Sequence, residues 1–503
     1  MGELTFAGID GIVILTVFAI IMLVIGYYSG RGEKNIHESL SGYYLASGNL
    51  GIVALFFTLF ATQYSGNTIV GYAPSAYRTG FSWLQSISFM TIIIGVYLLF
   101  APRLYVIAKK RNFITPTDWL QHRFNSKGVT LLAIFLMLWG LGNYLLEQLV
   151  AIGQAVSGMT GGTIPYQVAV IAFVLVMLAY EWMGGMKAVA FTDVMQGIVL
   201  LIGILAFVAG GVYLAGGSFG SITQFIAENE PAKIAVPSAE VNINWFSMLI
   251  LVGLGASIYP HAVQRIYAAK SEKTLKKSFA RMAWMPLLTT GLVFLVGIIG
   301  IKLFPGLEGN ASEQLVGVMA NEIATINPFF YWIMIIFFGG IVAAIVSTAD
   351  SVLLSFSSLI SNDVYGKFIK PDASEHRKVM VGKIIGIIAI FGLLWIAWNP
   401  PGTLYEIFVL KFELLVQVFP AFVLGLYWKR LNSKPVFWGM VLGAIVAGLL
   451  TFTGHKTVYG IHGGIIGLTL NFIVCVGGSL LSSASLKRDP VLEEDLNAVY
   501  IKA

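Results

Sequence analysis

Charge is what this sequence has least of. Only 11% of its 503 residues are Asp, Glu, Lys or Arg, where a water-soluble chain carries about 25%, so a soluble globular fold is excluded. Cysteine is nearly absent: the single Cys475 lies in an apolar run, which rules out a disulfide framework and a thiolate metal site. The six histidines show no metal-ligand spacing, and no nucleophile and base converge, so a membrane-embedded enzyme finds no support. A fused catalytic or signalling module has no room, since the longest polar interruption, 217–243, is short and mildly acidic and the tail at 484–503 is short. The first apolar run follows Glu3 and Asp10 with no basic start and no small-residue cleavage site. It reads as a retained helix rather than a signal peptide.

Apolar length is what the chain has instead. Its residues are 57% hydrophobic, its mean hydropathy is +0.82, and its 55 glycines suit membrane helices that pack closely or break. Thirteen segments approach the roughly 20 residues that cross a bilayer: 8–29, 48–75, 82–102, 129–158, 165–182, 190–215, 244–264, 283–304, 327–358, 380–398, 404–427, 435–454 and 459–482. Numbered 0 to 12, they predict an all-α integral membrane protein of about 13 transmembrane helices. Lysine and arginine crowd the 0–1, 2–3, 6–7 and 8–9 connections, the stretch after segment 10 and the tail. The opposite side has only Arg78, Lys233, Lys302 and Lys456, and Lys411 lies within a segment. Positive charge marks the cytoplasmic side, which puts the N-terminus outside and the C-terminus in the cytoplasm of a cell membrane. The formal charge of +6 is thus a topology signal, and no nucleic-acid partner is expected.

Two segments carry polar, glycine-containing interruptions. Segment 1 contains Phe60-Ala61-Thr62-Gln63-Tyr64-Ser65-Gly66-Asn67, and segment 6, five later, contains Gly253-Leu254-Gly255-Ala256-Ser257 before Tyr259-Pro260. Small residues also serve as close-packing positions. Two such interruptions at a five-segment offset instead match the broken helices of transporters, whose unwound backbone lines a cavity. In segment 8, Ala344, Ser347, Thr348 and Ser351 fall on one helical stripe. Two adjacent hydroxyls there can meet carbonyls freed in segment 1, a neutral oxygen set suited to a hard monovalent cation; they can equally bond back to their own helix.

Four further motifs stand out. They are Gly184-Gly185-Met186-Lys187-Ala188 with Phe191-Thr192-Asp193, and Pro260-His261 with Arg265 and Ala268-Ala269-Lys270. Ala343-Ala344-Ile345-Val346-Ser347-Thr348 and Gly425-Leu426-Tyr427-Trp428-Lys429-Arg430 complete the set. Together they resemble the sodium/solute symporter family; the resemblance covers nearly the whole chain and implies a leucine-transporter-like 5+5 inverted repeat. One extra helix (1–30) precedes repeats at 47–216 and 244–428, two further helices (434–483) follow, and 484–503 is a cytoplasmic tail. Carried over by motif, sodium would meet the backbone carbonyls of Ala61, Tyr64 and Ala344 and the side chains of Ser347 and Thr348. Some relatives bind a second sodium beside the matching aspartate, so Asp193, Asp350 and Ser351 form a candidate second cation or proton site, with one or two sodium ions per cycle and no organic cofactor. The competing reading pairs Asp193 or Asp350 with a basic residue. Glu181 replaces the small residue usual three positions before the glycine pair.

Solute candidates follow from the same resemblance: Gln63, Ser65, Gly66, Asn67, Ala256 and Lys411, with Tyr64 walling the cavity. Proline symporters place aromatics at the positions of Val252 and Ala256 and an acid where Gln63 stands, so the pattern sits closer to the pantothenate and monocarboxylate branch. An organic anion is the expected solute, with an amino acid or sugar as the alternative and an uncoupled sensor or channel as the reading from another class. Lys411 either neutralises a solute carboxylate or pairs with Glu147, Glu406 or Glu413.

Overall fold

Lipid offers the backbone no hydrogen-bond partners, so long apolar runs satisfy their own amides as helices. The computed structural model describes residues 9–31, 38–64, 66–482 and 490–500. The first half contains α1 (Ile9–Arg31), α2 (Ile52–Gln63), α3 (Gly66–Thr79), α4 (Gln85–Arg111), the short α5 (Pro116–Phe124), α6 (Lys127–Met159) and α7 (Tyr166–Leu214). The second contains α8 (Ala239–Ser257), α9 (Pro260–Ala268), α10 (Glu272–Met282), α11 (Thr290–Leu303), α12 (Pro328–Ser358), α13 (Glu375–Ala397) and α14 (Leu404–Leu415). Then come α15 (Ser433–Phe452), a two-stranded hairpin, α16 (Gly463–Leu481) and α17 (Pro490–Tyr500). Among the described residues, 11 helical stretches are long and apolar enough to cross a bilayer. Shorter apolar helices at Ile52–Gln63, Tyr166–Ala179 and Leu315–Ala324 accompany them.

Both expected interruptions are breaks. Helix α2 ends at Gln63 because Tyr64 leaves helical geometry (φ −118, ψ 73). Segment 6 divides between Ser257 and Pro260. Proline has no amide to continue the ladder and is tolerated in a helix's first turn. The chain before α2 and after α9 is tied by two backbone bonds, Leu50 N–H to Ala268 O and Lys270 N–H to Leu50 O, each 3.0 Å. The broken segments therefore share one anchor.

Between segments 4 (165–182) and 5 (190–215), where the spans leave a gap at 183–189, no loop intervenes. Helix α7 runs through both and bends at Gly185, whose φ of 51 and ψ of −153 leave the helical region. A Cβ there would lie 2.6 Å from Tyr43 O, and that backbone region is essentially reserved to glycine. One residue does the work of a loop.

Candidate ion and solute site

A helix end leaves its last carbonyls without intrahelical donors, and the end of α2 lies in the protein interior. Phe60 O is taken by the Tyr64 amide at 2.8 Å. Thr62 O accepts from Tyr144 OH at 3.3 Å. Ala61 O faces Thr348 Oγ1 of α12 at 3.4 Å, and the same hydroxyl donates to Ala344 O at 2.9 Å. Ala61 O, Ala344 O and Thr348 Oγ1 thus gather where the sequence predicted them, on residues no more than 6% exposed. Both readings of the stripe are realised in Thr348: it bonds back to its own helix and approaches the broken one. Ser347 turns aside and hydrogen-bonds Asp193.

Beside this group sits Arg265 of α9, fully buried. Its Nε donates to Thr58 O (3.2 Å) and Thr58 Oγ1 (2.8 Å), Nη1 to His261 O (2.9 Å) and Nη2 to Ser351 Oγ (2.5 Å). Nη2 also lies 3.9 Å from Asp193 Oδ2. Two of the three residues expected to hold a second cation, Asp193 and Ser351, therefore already face a protein cation. A buried charge needs such partners, because leaving one alone in a low dielectric is prohibitive. Asp350 is also fully buried, yet neither carboxylate oxygen has a hydrogen-bond partner among the described residues.

A second group lies across the two breaks. A small cavity, about 20 Å³, is lined by Thr62, Gln63, Tyr144, Glu147, Ala256 and Lys411, among others; it has space for about one water. Its walls must part before an organic solute fits. Gln63 Nε2 donates to Tyr97 OH (2.8 Å), which in turn donates to Ala256 O (3.1 Å), so one tyrosine bridges the breaks. Lys411 pairs with Glu147, both 1% exposed. Of the three carboxylates weighed for it, Glu147 takes it, while Glu406 pairs with Lys456 and Glu413 with His462. The Lys411 ammonium also lies 3.6 Å from the Tyr144 ring centroid and 4.5 Å from that of Phe408, within cation–π range.

Some expected positions fall elsewhere. The Tyr64 side chain lines a separate apolar cavity with Phe60, Ile69 and Ile204, because its ring packs on Phe60 at 5.0 Å. Ser65 lies outside the described residues, and for Gly66 and Asn67 only backbone in the first turn of α3 is described. Tyr97 and Tyr144 were missed as site residues. In a chain with 21 tyrosines, nothing in their spacing separates a ring over a cavity from one facing lipid.

The model of the sodium:solute symporter family matches residues 43–443. The chain is 27% identical over 489 residues to the sodium/pantothenate symporter of Escherichia coli (strain K12), covering 96% of this chain and 98% of that protein. It is 28% identical over 515 residues to the sodium/proline symporter of Staphylococcus aureus (strain JH9), covering 97% and 95%. A solved substrate-bound, outward-open structure of a Na+-coupled sialic acid symporter superposes with a TM-score of 0.78 at 21% identity, covering 95% of this chain and 99% of that one.

Proposed function

Because this chain belongs to the sodium:solute symporter family, we propose that it imports a small organic anion by sodium-coupled alternating access. The family and the many apolar helices make it a multi-pass membrane transporter that couples sodium to an organic solute. The proposed topology has thirteen crossings with the N-terminus outside, arranged as two inverted five-helix repeats (47–216 and 244–428). The observation carrying the ion reading is the approach of Thr348 Oγ1 to both Ala344 O and Ala61 O at the end of a broken helix. Sodium is cargo here. It would draw together Ala61, Tyr64, Ala344, Ser347 and Thr348, joining α2 to α12 and favouring the state that accepts solute. Solute and ion then stabilise the same conformation, and each raises the other's affinity by the same factor.

Among the described residues lining the solute cavity, Lys411 is the cation, which supports a carboxylate-bearing solute held with Gln63, Ala256 and the start of α3 (Ser65, Gly66, Asn67). A second reading has its own observation. Lys411 and Glu147 form a matched pair, and a zwitterion could insert between them and keep both charges partnered. As for a second cation at Asp193, Asp350 and Ser351, the place of Arg265 favours one sodium per cycle.

Uptake into proteoliposomes, screened across organic acids, amino acids and sugars with and without a sodium gradient, tests this reading. S347A and T348A are expected to raise the sodium concentration for half-maximal uptake at least about tenfold, a loss of about 1.4 kcal/mol. Unchanged sodium dependence in both variants would remove the ion assignment.

A further inference from the structure

Several basic residues on the side read as cytoplasmic are engaged. Lys110 and Arg111 bind Asp495, Lys367 binds Asp363, Lys109 donates to Gly48 O and Lys383 to Trp182 O. Helix α10 differs. Its inner face, Leu275, Ser278, Phe279 and Met282, is buried. Its outer face exposes Lys273, Lys276, Lys277 and Arg281. Lys276 is paired with Glu272 at 2.8 Å, and no ion pair to Lys273, Lys277 or Arg281 is found among the described residues.

These three charges recur every four residues on α10, and just past its end the chain exposes Trp284, in the following turn, at 69% and Leu288 at 52%. Along the chain, charge therefore gives way to a large aromatic and then to aliphatic surface. Immediately beyond, α11 begins its apolar run. That gradient of polarity matches the depth profile of a leaflet, with lysines at phosphate level, tryptophan at the interface and leucine among the acyl chains.

We propose that the outer face of α10 is a binding site for anionic phospholipid headgroups of the cytoplasmic leaflet, with Lys273, Lys277 and Arg281 meeting phosphate and Trp284 fixing the depth. Charge complementarity selects this occupant: among the described residues Lys273, Lys277 and Arg281 have no ion-pair partner, and the stripe lies beside a membrane segment and carries one sign. The site is also close to the solute cavity. On the opposite face of α10, Phe279 stacks on Tyr97 at 5.0 Å and 20°, and Tyr97 holds Gln63 and Ala256 O. A headgroup on α10 is one ring away from the residues that bridge the breaks.

The test needs no transport assay, so its failure and that of the symport reading are distinguishable. Purified full-length protein is titrated with phosphatidylglycerol or phosphatidylcholine, and retained lipids are counted by native mass spectrometry. Wild type is expected to prefer phosphatidylglycerol, and K273Q/K277Q/R281Q to lose that preference by at least about tenfold, since each basic residue near an anionic surface strengthens binding by about fivefold. All three side chains are exposed, so the fold is expected to survive, which an unchanged melting temperature checks. Equal binding of both lipids by wild type, or an undiminished preference in the triple variant, overturns the proposal. So does a preference confined to W284A-sensitive, charge-independent binding that persists in 0.5 M salt, where screening removes a phosphate contact.

Discussion

At the scale of single residues, the buried charges carry most of the argument. Lys411 and Glu147 hold each other, both buried, at the wall of a small cavity, and removing one partner of such a pair costs about 3–5 kcal/mol, while removing both costs far less. K411M and E147M are each expected to lower the melting temperature of the detergent-solubilised protein sharply, and the double variant less than the sum of the two. The pair also separates the two solute readings. If the solute is an anion, E147Q frees Lys411 and uptake is kept or strengthened, whereas K411Q abolishes it; if the solute is a zwitterion, both variants lose uptake. Competition by solutes of each charge class against the best substrate reads the difference. The approach of Thr348 to Ala61 was legible as one of two readings, because hydroxyl residues at helical spacing opposite a broken segment are a local pattern. Neither the lock of Arg265 onto Asp193, Ser351 and Thr58 nor the bridge of Tyr97 was legible, because both join residues far apart in sequence by side-chain reach.

Helices and their breaks form the next scale. Segment 6 announces its break through Pro260, and segment 1 through a run of small polar residues, so both were readable. The bend at Gly185 was read as a loop, because a glycine pair beside a lysine looks the same whether the helix ends or turns on one residue. G185A places a Cβ 2.6 Å from Tyr43 O at a positive φ and is expected to destabilise by about 1–3 kcal/mol for the backbone alone. G142A in α6, with no atom within 4 Å of its added Cβ, is expected to be neutral or slightly stabilising; thermal denaturation of the pair checks both. The tail, expected only to be short and charged, forms α17. Leu496 is buried, Asp495 meets Arg111 (2.7 Å), Lys110 (2.8 Å) and His122 (3.0 Å), and Lys429 donates to Asn497 (2.5 Å). Burial pushes the Asp495 carboxyl up, but hydrogen bonds from Arg111 and Lys110 more than offset it and hold it below the usual carboxylate range. A depressed carboxyl stabilises docking fully above its unfolded value of about 3.9 and loses that contribution as pH falls through the lower folded value. Limited proteolysis is expected to spare the tail at pH 5–7 and to cut it as pH drops below about 4, while D495N is cut at neutral pH.

For the molecule as a whole, the energetics of the cycle depend on how many charges move. One charge crossing about 100 mV is worth roughly 2.3 kcal/mol, and a tenfold sodium gradient about 1.4 kcal/mol. With one sodium per monoanion the step is electroneutral. Initial uptake of an organic anion is then expected to be insensitive to a potassium-diffusion potential, and acceleration by an inside-negative potential would require a second cation, with Asp350 as the residue to examine. The amino-acid sequence alone determined the membrane class, the sites of both helix breaks and the oxygen stripe on α12, and it carries an expectation of orientation. These follow from hydropathy, lysine and arginine placement and residue spacing, which act locally along the chain. Only the tertiary structure decided which carboxylate Lys411 chooses, that Arg265 already faces Asp193 and Ser351, that Tyr97 bridges the two breaks and that α17 docks on α4. Each of these depends on side chains from separate helices being brought within a few ångströms, a distance that no pattern within one segment encodes.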